Sequence, residues 1–369
     1  MTDAIDALDL VAGVGQRTES FIFRAVDGGS GRVLGEVHPS RGSTVTLDQA
    51  AGAVITRSLT LEFDEDESAD INPLSARIEP FMLIGGREFP LGHYLFTDPV
   101  RQDYAEYETE AAGGLRSLMS SPLADRMAIV DTELEHAFTA DDDAASDVLR
   151  SLLAPLPVTA EIDDSPSVIA NTWAAGTTRT AVAGAVADLG GYLAPWFDHQ
   201  GVFQARRRFE PALAVPDFDW DASPHVYRDS ITRADALAYT PNRIVVIGNG
   251  GTAENAAVVA YCDVPSTAPH SALNIGFVRP RVIEAQVSGL AQAQELAENL
   301  CLQQTVAETI TVSGPPDPRY EAHQVVRFEG ELWLHLAWSM EMNAGGTMRH
   351  TLQRAYRPTP TMETPPVFT

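Results

Sequence analysis

Lysine is missing from this chain. All 25 basic residues are arginines, and they stand against 51 acids for a formal net charge of −26. That balance excludes a protein that grips nucleic acid, because phosphate binding needs a cationic surface. It suits a surface that stays in solution or one that must not stick to DNA. Cysteine is nearly missing too, with Cys262 and Cys301 alone. Both lie in apolar surroundings and read as reduced thiols rather than a disulfide. Two cysteines far apart, without histidines at fixed offsets, do not make a zinc site. No apolar run is long enough to span a bilayer. The first ten residues, MTDAIDALDL, hold Asp3, Asp6 and Asp9 and no base, so a signal or transit peptide is not expected there.

Catalytic signatures are also absent. No serine sits in a G-x-S-x-G elbow, no H-E-x-x-H occurs, and the nine histidines are scattered. Acids are so abundant that no glycosidase-type carboxylate pair stands out. No catalytic, cofactor-binding or metal-ligating residue is therefore assigned, and no cofactor is expected.

What is present is a chain of 369 residues with 44% hydrophobic content. That is enough for a sizeable core divided among two to four units. The clearest stretch is Thr177 to Arg208. Val182, Val186, Leu189 and Leu193 share one helical face, and Gly190, Gly191 and Pro195 stop the helix. Trp196-Phe197, a turn at His199-Gln200-Gly201 and Val202-Phe203 then read as a tight hairpin, with Gly201 free to take positive φ.

Strand patterns flank this unit. After an N-terminal arm over residues 1–17, strands are expected over Phe21 to Val26 and Arg32 to Val37. In Arg57 to Phe63, Leu59, Leu61 and Phe63 alternate with Ser58, Thr60 and Glu62, the mark of a half-buried strand. The acidic run that follows, Asp64 to Asp70, reads as a solvated loop rather than a cation site, because no Gly-pivoted calcium-loop spacing appears. Ala76 to Ile84 and Glu88 to Thr97 form a hairpin turned by Gly85-Gly86. Residues 18–112 thus make one antiparallel β unit.

Over residues 113–224 the period changes. Pro122 to Met127 suits a helix start, and a second helix follows Asp141-Asp142-Asp143, whose charges offset its macrodipole. Pro211 to Pro224 reads as a linker. Beyond it, Asn242 to Ile247 and the run after Gly248-Asn249-Gly250-Gly251 read as a hairpin. A dinucleotide-binding turn would require a helix next. Ser288 to Gln304 is a helix with Ser288 as its cap. Leu332, Leu334, Leu336, Trp338, Met340 and Met342 alternate with Trp333, His335, Ala337, Ser339 and Glu341. The first set reads as the buried face, and His335 as a surface or interface residue. Residues 225–354 make a second β unit carrying helix 288–304, and residues 355–369 are an extended Pro/Thr-rich tail.

The order of these parts resembles the hub proteins of phage tail tips and baseplates. The carrying phrases are EFPLGHYLFTDP (Glu88 to Pro99), G-Y-L with the W-F-D-x-x-G-x-F hairpin (Trp196 to Phe203), NRIVVIG (Asn242 to Gly248) and the closing arginine strand Met348 to Arg354. The family includes the N-terminal halves of VgrG spikes, late-control proteins and the amino-terminal part of siphophage tail-associated proteins. The P-L-G-x-Y-L-F phrase resembles minor tail proteins of actinobacteriophages. The resemblance implies an α+β, mainly antiparallel β fold, with two tail-tube-like β-barrel or sandwich domains and a helix-containing middle segment. It implies a homotrimer in the virion, assembled in the host cytoplasm, that adapts a six-fold tube to a three-fold tip. Its expected partners are a distal tube-type ring, a tape measure protein and a tip, spike or fibre protein. DNA would meet it only in passage, with Asp64, Glu65, Asp66, Glu67 and Asp70 as candidate lumen-facing acids. A tail-tip cell-wall hydrolase and a receptor-binding module are the alternative readings.

Overall fold

A computed structural model describes residues 19–40, 45–50, 52–64, 71–105, 115–221, 227–235, 240–248, 258–285, 287, 289–304 and 308–355. The chain opens with nine strands: β1 (Glu19–Asp27), β2 (Val33–Val37), β3 (Thr46–Ala50), β4 (Thr56–Asp64), β5 (Ala76–Ile84), β6 (Arg87–Pro90), β7 (Tyr94–Phe96), β8 (Val100–Ala105) and β9 (Leu115–Asp125). Apolar alternation drives them. In β5 every second residue from Ala76 to Ile84 is buried, the period that a sheet with one covered face imposes. The expected helix start at Pro122 is overturned. Pro122 lies within β9, and only the turn Met127–Val130, helix α1, follows. Leu123 packs in the sheet core, so tertiary burial overrides the local signal.

The middle of the chain contains β10 (Phe138–Ala144), α2 (Ala145–Leu153), β11 (Thr159–Ile162), β12 (Val168–Trp173), α3 (Arg179–Gly190), β13 (Trp196–Phe197) and β14 (Val202–Ala205). Helix α3 starts where Thr178 Oγ1 accepts from Ala181 N, and ends at Gly191 with φ 69°, an αL stop that glycine takes without steric cost. The expected helix and hairpin are both there. The linker reading of 211–224 is partly overturned. After a 3₁₀ turn (Pro211–Leu213), β15 (Phe218–Asp219) joins the main sheet and Trp220 is buried.

The rest comprises β16 (Tyr227–Asp235), β17 (Arg243–Gly248), β18 (Val258–Asp263), α4 (Ala272–Ile275), β19 (Pro280–Ala285), α5 (Leu290–Gln304), β20 (Glu308–Gly314), β21 (Val325–Phe328), β22 (Glu331–Glu341) and β23 (Met348–Arg354). β17 and β18 pair antiparallel, as the hairpin reading requires, while β19 adds to β17 in parallel. Cys262 on β18 is half-buried, Cys301 on α5 is buried, and both are free thiols. Ser288, the expected cap of α5, lies outside the described residues, as do 1–17 and 356–369. Among the described residues no helix is long and apolar enough to cross a membrane.

The mainly antiparallel β class holds. The two β units, however, meet in one open sheet of 15 strands, whose path runs β16-β20-β23-β22-β3-β4-β9-β7-β5-β1-β2. β3 and β22 form the seam, with Leu47 opposite Met340 and Gln49 opposite Trp338. One core lies on this sheet, from Phe23 through Leu59 and Phe63 to Trp333 and Leu352. The other unites the α2–α3 region with β17, β18 and α5, from Val148 and Val186 to Ile244 and Leu296. β17, β18 and α5, which the pattern places inside the second β unit, therefore bury their apolar side against the middle helices.

The predicted face of β22 is also corrected. Trp333, His335, Trp338, Met340 and Met342 are buried, whereas Leu332, Leu334 and Leu336 are half-buried. Pairing with β23 shifts register between His335 and Ala337. One extra residue there flips the parity of everything before it.

Candidate functional site at the sheet seam

The strand parity that buries Leu59, Leu61 and Phe63 also turns Arg57 inward, where it is 2% exposed. Its register partner on β3 is Gln49, and Gln49 in turn faces Trp338 on β22. A cation there needs partners. Arg57 Nε donates to Gln49 Oε1 at 3.1 Å, and Nη2 donates to Glu321 Oε2 at 2.8 Å. The Arg57 guanidinium lies 5.7 Å from the Trp338 ring centre, within cation–π range. Its backbone N–H donates to Asp125 Oδ2 at 3.0 Å, and Asp125 Oδ1 accepts from Met127 N at 3.0 Å. One carboxylate thus holds β4 against the turn where β9 becomes α1.

Glu321 belongs to the loop between β20 and β21, and its other oxygen reaches the middle of the chain. Glu321 Oε1 accepts from His199 N at 3.1 Å and sits 3.3 Å from His199 Nδ1. Arg57, Glu321 and His199 therefore tie the sheet, a long loop and the β13–β14 hairpin together. Burial alone would raise the Glu321 carboxyl, but His199 and Arg57 beside it hold it below its ordinary value. Burial alone would likewise lower Arg57, and the Glu321 charge keeps it up. Burial pushes His199 down to about 4 against the pull of Glu321, and pushes Asp125 up to about 6.

A second buried polar group lies beside the first. His350 Nδ1 and His335 Nε2 are 3.1 Å apart, and both rings pack on Tyr320 at centroid distances of 4.5 and 5.3 Å. Trp220 Nε1 donates to the Tyr320 hydroxyl at 2.8 Å. Burial drives His335 down to about 4, and burial with the neighbouring His335 drives His350 well below its ordinary value. The surface or interface reading of His335 is overturned: it is 0% exposed. The β22 bulge turns it to the core side.

The hairpin docks through backbone as well. Ile55 N donates to Pro195 O at 2.8 Å, His323 Nε2 lies 2.9 Å from Ala194 O, and Arg126 Nη1 donates to Gly201 O at 2.8 Å. Gly201 has φ 72°, and a Cβ there would meet His93 Cδ2 at 2.5 Å. Positive φ and lack of room both select glycine. Ile55, Trp196 and Ala322 close a small apolar cluster over the joint.

Chemically the site is suited to positioning chain segments. It holds neutral imidazoles, a neutralised ion pair and hydrogen bonds that fix one chain segment against another. Among the described residues no group of three or more His, Cys, Asp and Glu is placed to hold a metal ion. Of the candidate lumen acids, Asp64 closes β4 opposite Leu118 of β9, while Glu65, Asp66, Glu67 and Asp70 lie outside the described residues. The sequence reading missed Arg57, Gln49, Glu321 and His199. For Arg57 a signal was present, because it sits two residues before Leu59 on the inward parity.

Comparison with solved structures gives the architecture its relatives. A tail protein from Neisseria meningitidis superposes with a TM-score of 0.61 at 12% identity, over 91% of this chain and 97% of its own. The fold is that of a phage tail protein. The 43 kDa tail protein of prophage MuSo2 from Shewanella oneidensis matches this phage-tail fold with a TM-score of 0.59 at 12% identity, over 90% of this chain and 98% of its own. Prophage tail protein gp18 from Listeria monocytogenes does so with 0.56 at 11% identity, over 90% and 94%. No family model and no curated protein matches the chain. The likeness is thus one of fold, at 11–12% identity.

Proposed function

We propose that this chain is the structural hub of a phage tail tip or baseplate and that it has no catalytic role. One observation carries the reading: two strand sets, from opposite ends of the sequence, fuse through β3 and β22 into a single open sheet. One subunit then brings two tube-like halves to a ring, so three subunits present six. The outer strand β16 pairs on one side only among the described residues, and an open edge is a template for a neighbouring strand. In this reading the trimer joins a tube-type ring on one side and a tip, spike or fibre protein on the other, with tape measure and DNA passing through. The phage-tail fold supports it, and so does the acidity. A conduit must not bind the duplex inside it, and negative walls repel phosphate. Asp64, Glu65, Asp66, Glu67 and Asp70 are the acids assigned to the lumen.

The test is an electron cryo-microscopy reconstruction of tails containing this chain. The expected result is one ring of three copies at the end of the tube, with residues 64–70 facing the bore. Six copies per ring repeated along the tube, or a bore lined by arginines, would overturn the reading.

A further inference from the structure

The chain has two cysteines, Cys262 and Cys301, and the fold brings them together. Strand alternation turns Val258, Ala260 and Cys262 of β18 towards the core that holds α5, while Val259 and Tyr261, 52% and 39% exposed, point the other way. α5 lays a single stripe on this side of the sheet. Ala293, Leu296, Ala297, Leu300 and Cys301 are all buried and fall at helical spacing. Cys301 stands in the last turn of α5, and Cys262 is the last residue but one of β18. Gln294 Nε2 donates to Tyr261 O at 3.3 Å, which ties the helix to the same strand. Both cysteines therefore lie on the facing sides of two elements that pack against each other.

The two thiols are in hydrogen-bonding contact. Cys262 Sγ also donates to Asp263 O at 3.6 Å. Their settings differ. Cys301 is 2% exposed, whereas Cys262 is half-buried and within reach of a small reagent. The bond to Cys262 and burial push the Cys301 thiol above its ordinary value, and the charges of Asp263 and Glu298 add to the push. Among the described residues no group of three or more His, Cys, Asp and Glu is placed to hold a metal ion. The pair thus stands as a dithiol with one accessible and one sheltered sulfur. That asymmetry suits thiol–disulfide exchange, in which an exposed thiol is attacked first and a buried neighbour resolves it.

We infer that Cys262 and Cys301 form a disulfide when the chain meets a low-molecular-weight disulfide such as oxidised glutathione, and that this bond pins the end of α5 to β18. The free thiols are the reduced state of the pair. In the first step the Cys262 thiolate attacks one sulfur of the reagent, whose S–S bond breaks and releases one thiol. In the second, Cys301 gives up its proton and attacks Cys262 Sγ, and the mixed disulfide breaks to release the second thiol. The protein loses two hydrogens and two electrons, and the reagent gains them. Closing residues 262–301 into a loop restricts the unfolded chain, so the oxidised form resists unfolding more than the reduced one. The pairing is independent of the hub reading. Only its timing rests on that reading: a reducing cytoplasm keeps the thiols free during assembly, and an oxidising medium joins them after release.

Oxidation of the full chain in buffers of rising oxidised-to-reduced glutathione ratio tests it, with alkylation of the remaining thiols and mass spectrometry of the intact protein. The wild type should lose the mass of two hydrogens and carry neither glutathione nor alkyl groups. Digestion without reductant should give one peptide pair joined through Cys262 and Cys301. Its melting temperature should rise on oxidation and return when the bond is reduced. Cys301→Ala should accumulate a glutathione adduct at Cys262, with no such rise. Cys262→Ser should leave Cys301 unmodified in the folded chain. Cys262 is half-buried, so Cys262→Ser keeps the comparison sound if Cys301→Ala perturbs the core, and circular dichroism checks both folds.

A wild type that stops at the glutathione adduct overturns the inference, because Cys301 then fails to reach Cys262. So does a wild type whose thiols both stay open to alkylation at the most oxidising ratio, or one whose cysteines join two chains instead of one. A melting temperature that is level or lower after oxidation would sink the claim that the bond pins α5. These outcomes leave the hub reading untouched, since the copy number and place of the chain on tails are read separately. A chain absent from tails would in turn remove the timing and leave the disulfide standing.

Discussion

Arg57 and Glu321 meet at 2.8 Å although 264 positions separate them in the chain. The pair closes the seam on which the single sheet depends, and it is buried on the arginine side. Removing one partner leaves the other charge without compensation in a poorly solvated place, which costs more than the pair itself contributes. Arg57→Met should lower the unfolding free energy by about 3 kcal/mol, read as a shift in the urea midpoint. Adding Glu321→Gln should recover part of that loss, because the stranded carboxylate is gone. A double variant as unstable as the sum of the two singles would show that the residues do not act on each other.

Acid should loosen the same region. His199, His323 and His335 are each held near 4 by burial, and burial with the neighbouring His335 holds His350 well below its ordinary value. A histidine whose folded pKa lies below its unfolded value of about 6.5 adds full stability above that value and loses it as pH falls towards the folded one. Asp125, raised to about 6 by burial, works the other way, recovering stability as pH falls below about 6. Three histidines and a fourth outweigh one aspartate. Between pH 7.5 and 5 the loss should be on the order of 1–2 kcal/mol per histidine, partly offset by Asp125. Thermal melts across that range check it. A melting temperature that stays level or rises towards pH 5 would mean the histidines are not buried neutral.

Much of this architecture is legible because local chemistry decides it. The α3 helix has a threonine cap, an apolar face and a glycine stop, and the β13–β14 hairpin has a glycine where positive φ is required. What is not legible depends on distant partners. β3, TLDQA, is short and half polar, so nothing in it announces a central strand between β22 and β4. Gln49 is buried there because Arg57 and Trp338 flank it. The core shared by α2, α3 and β17 through α5 is hidden for the same reason. Periodicity says which side of an element is buried, and not against what. Among the seam residues Arg57 could have been found, since a charged residue on the inward parity of a strand must have a partner. Glu321 and His199, in loop and turn, carry no such mark.

Gly201→Ala separates backbone strain from steric contact. The residue holds φ 72°, and its Cβ would come within 2.5 Å of His93 Cδ2. Gly345 has φ 75° and open space around it. Gly345→Ala should therefore cost about 1 kcal/mol, the price of αL for alanine. Gly201→Ala should cost at least about 2 kcal/mol, because His93 or the hairpin must also shift. The Gly201 variant should in addition raise amide exchange at Ile55, whose N–H is bonded to Pro195 O. Equal costs at the two positions would show that the hairpin has slack.

The bulge in β22 makes the sharpest contrast between pattern and packing. Plain alternation places Leu334 with Trp338 on the buried face and Trp333 on the other. The register shift between His335 and Ala337 reverses this for the first part of the strand. Trp333 is 1% exposed, and its Nε1 donates to Phe328 O at 3.0 Å. Trp333→Ala then removes a large buried ring and strands a carbonyl, at about 3–5 kcal/mol. Leu334→Ala trims a half-buried side chain and should cost under about 2 kcal/mol. Deleting Ala337 alone should cost more than Leu334→Ala although the lost side chain is a single methyl group, because Trp333 and His335 would be turned away from the core they fill. Chemical denaturation of the three variants decides between packing and pattern. If Leu334→Ala is the most damaging of them, the strand runs straight and the bulge is elsewhere.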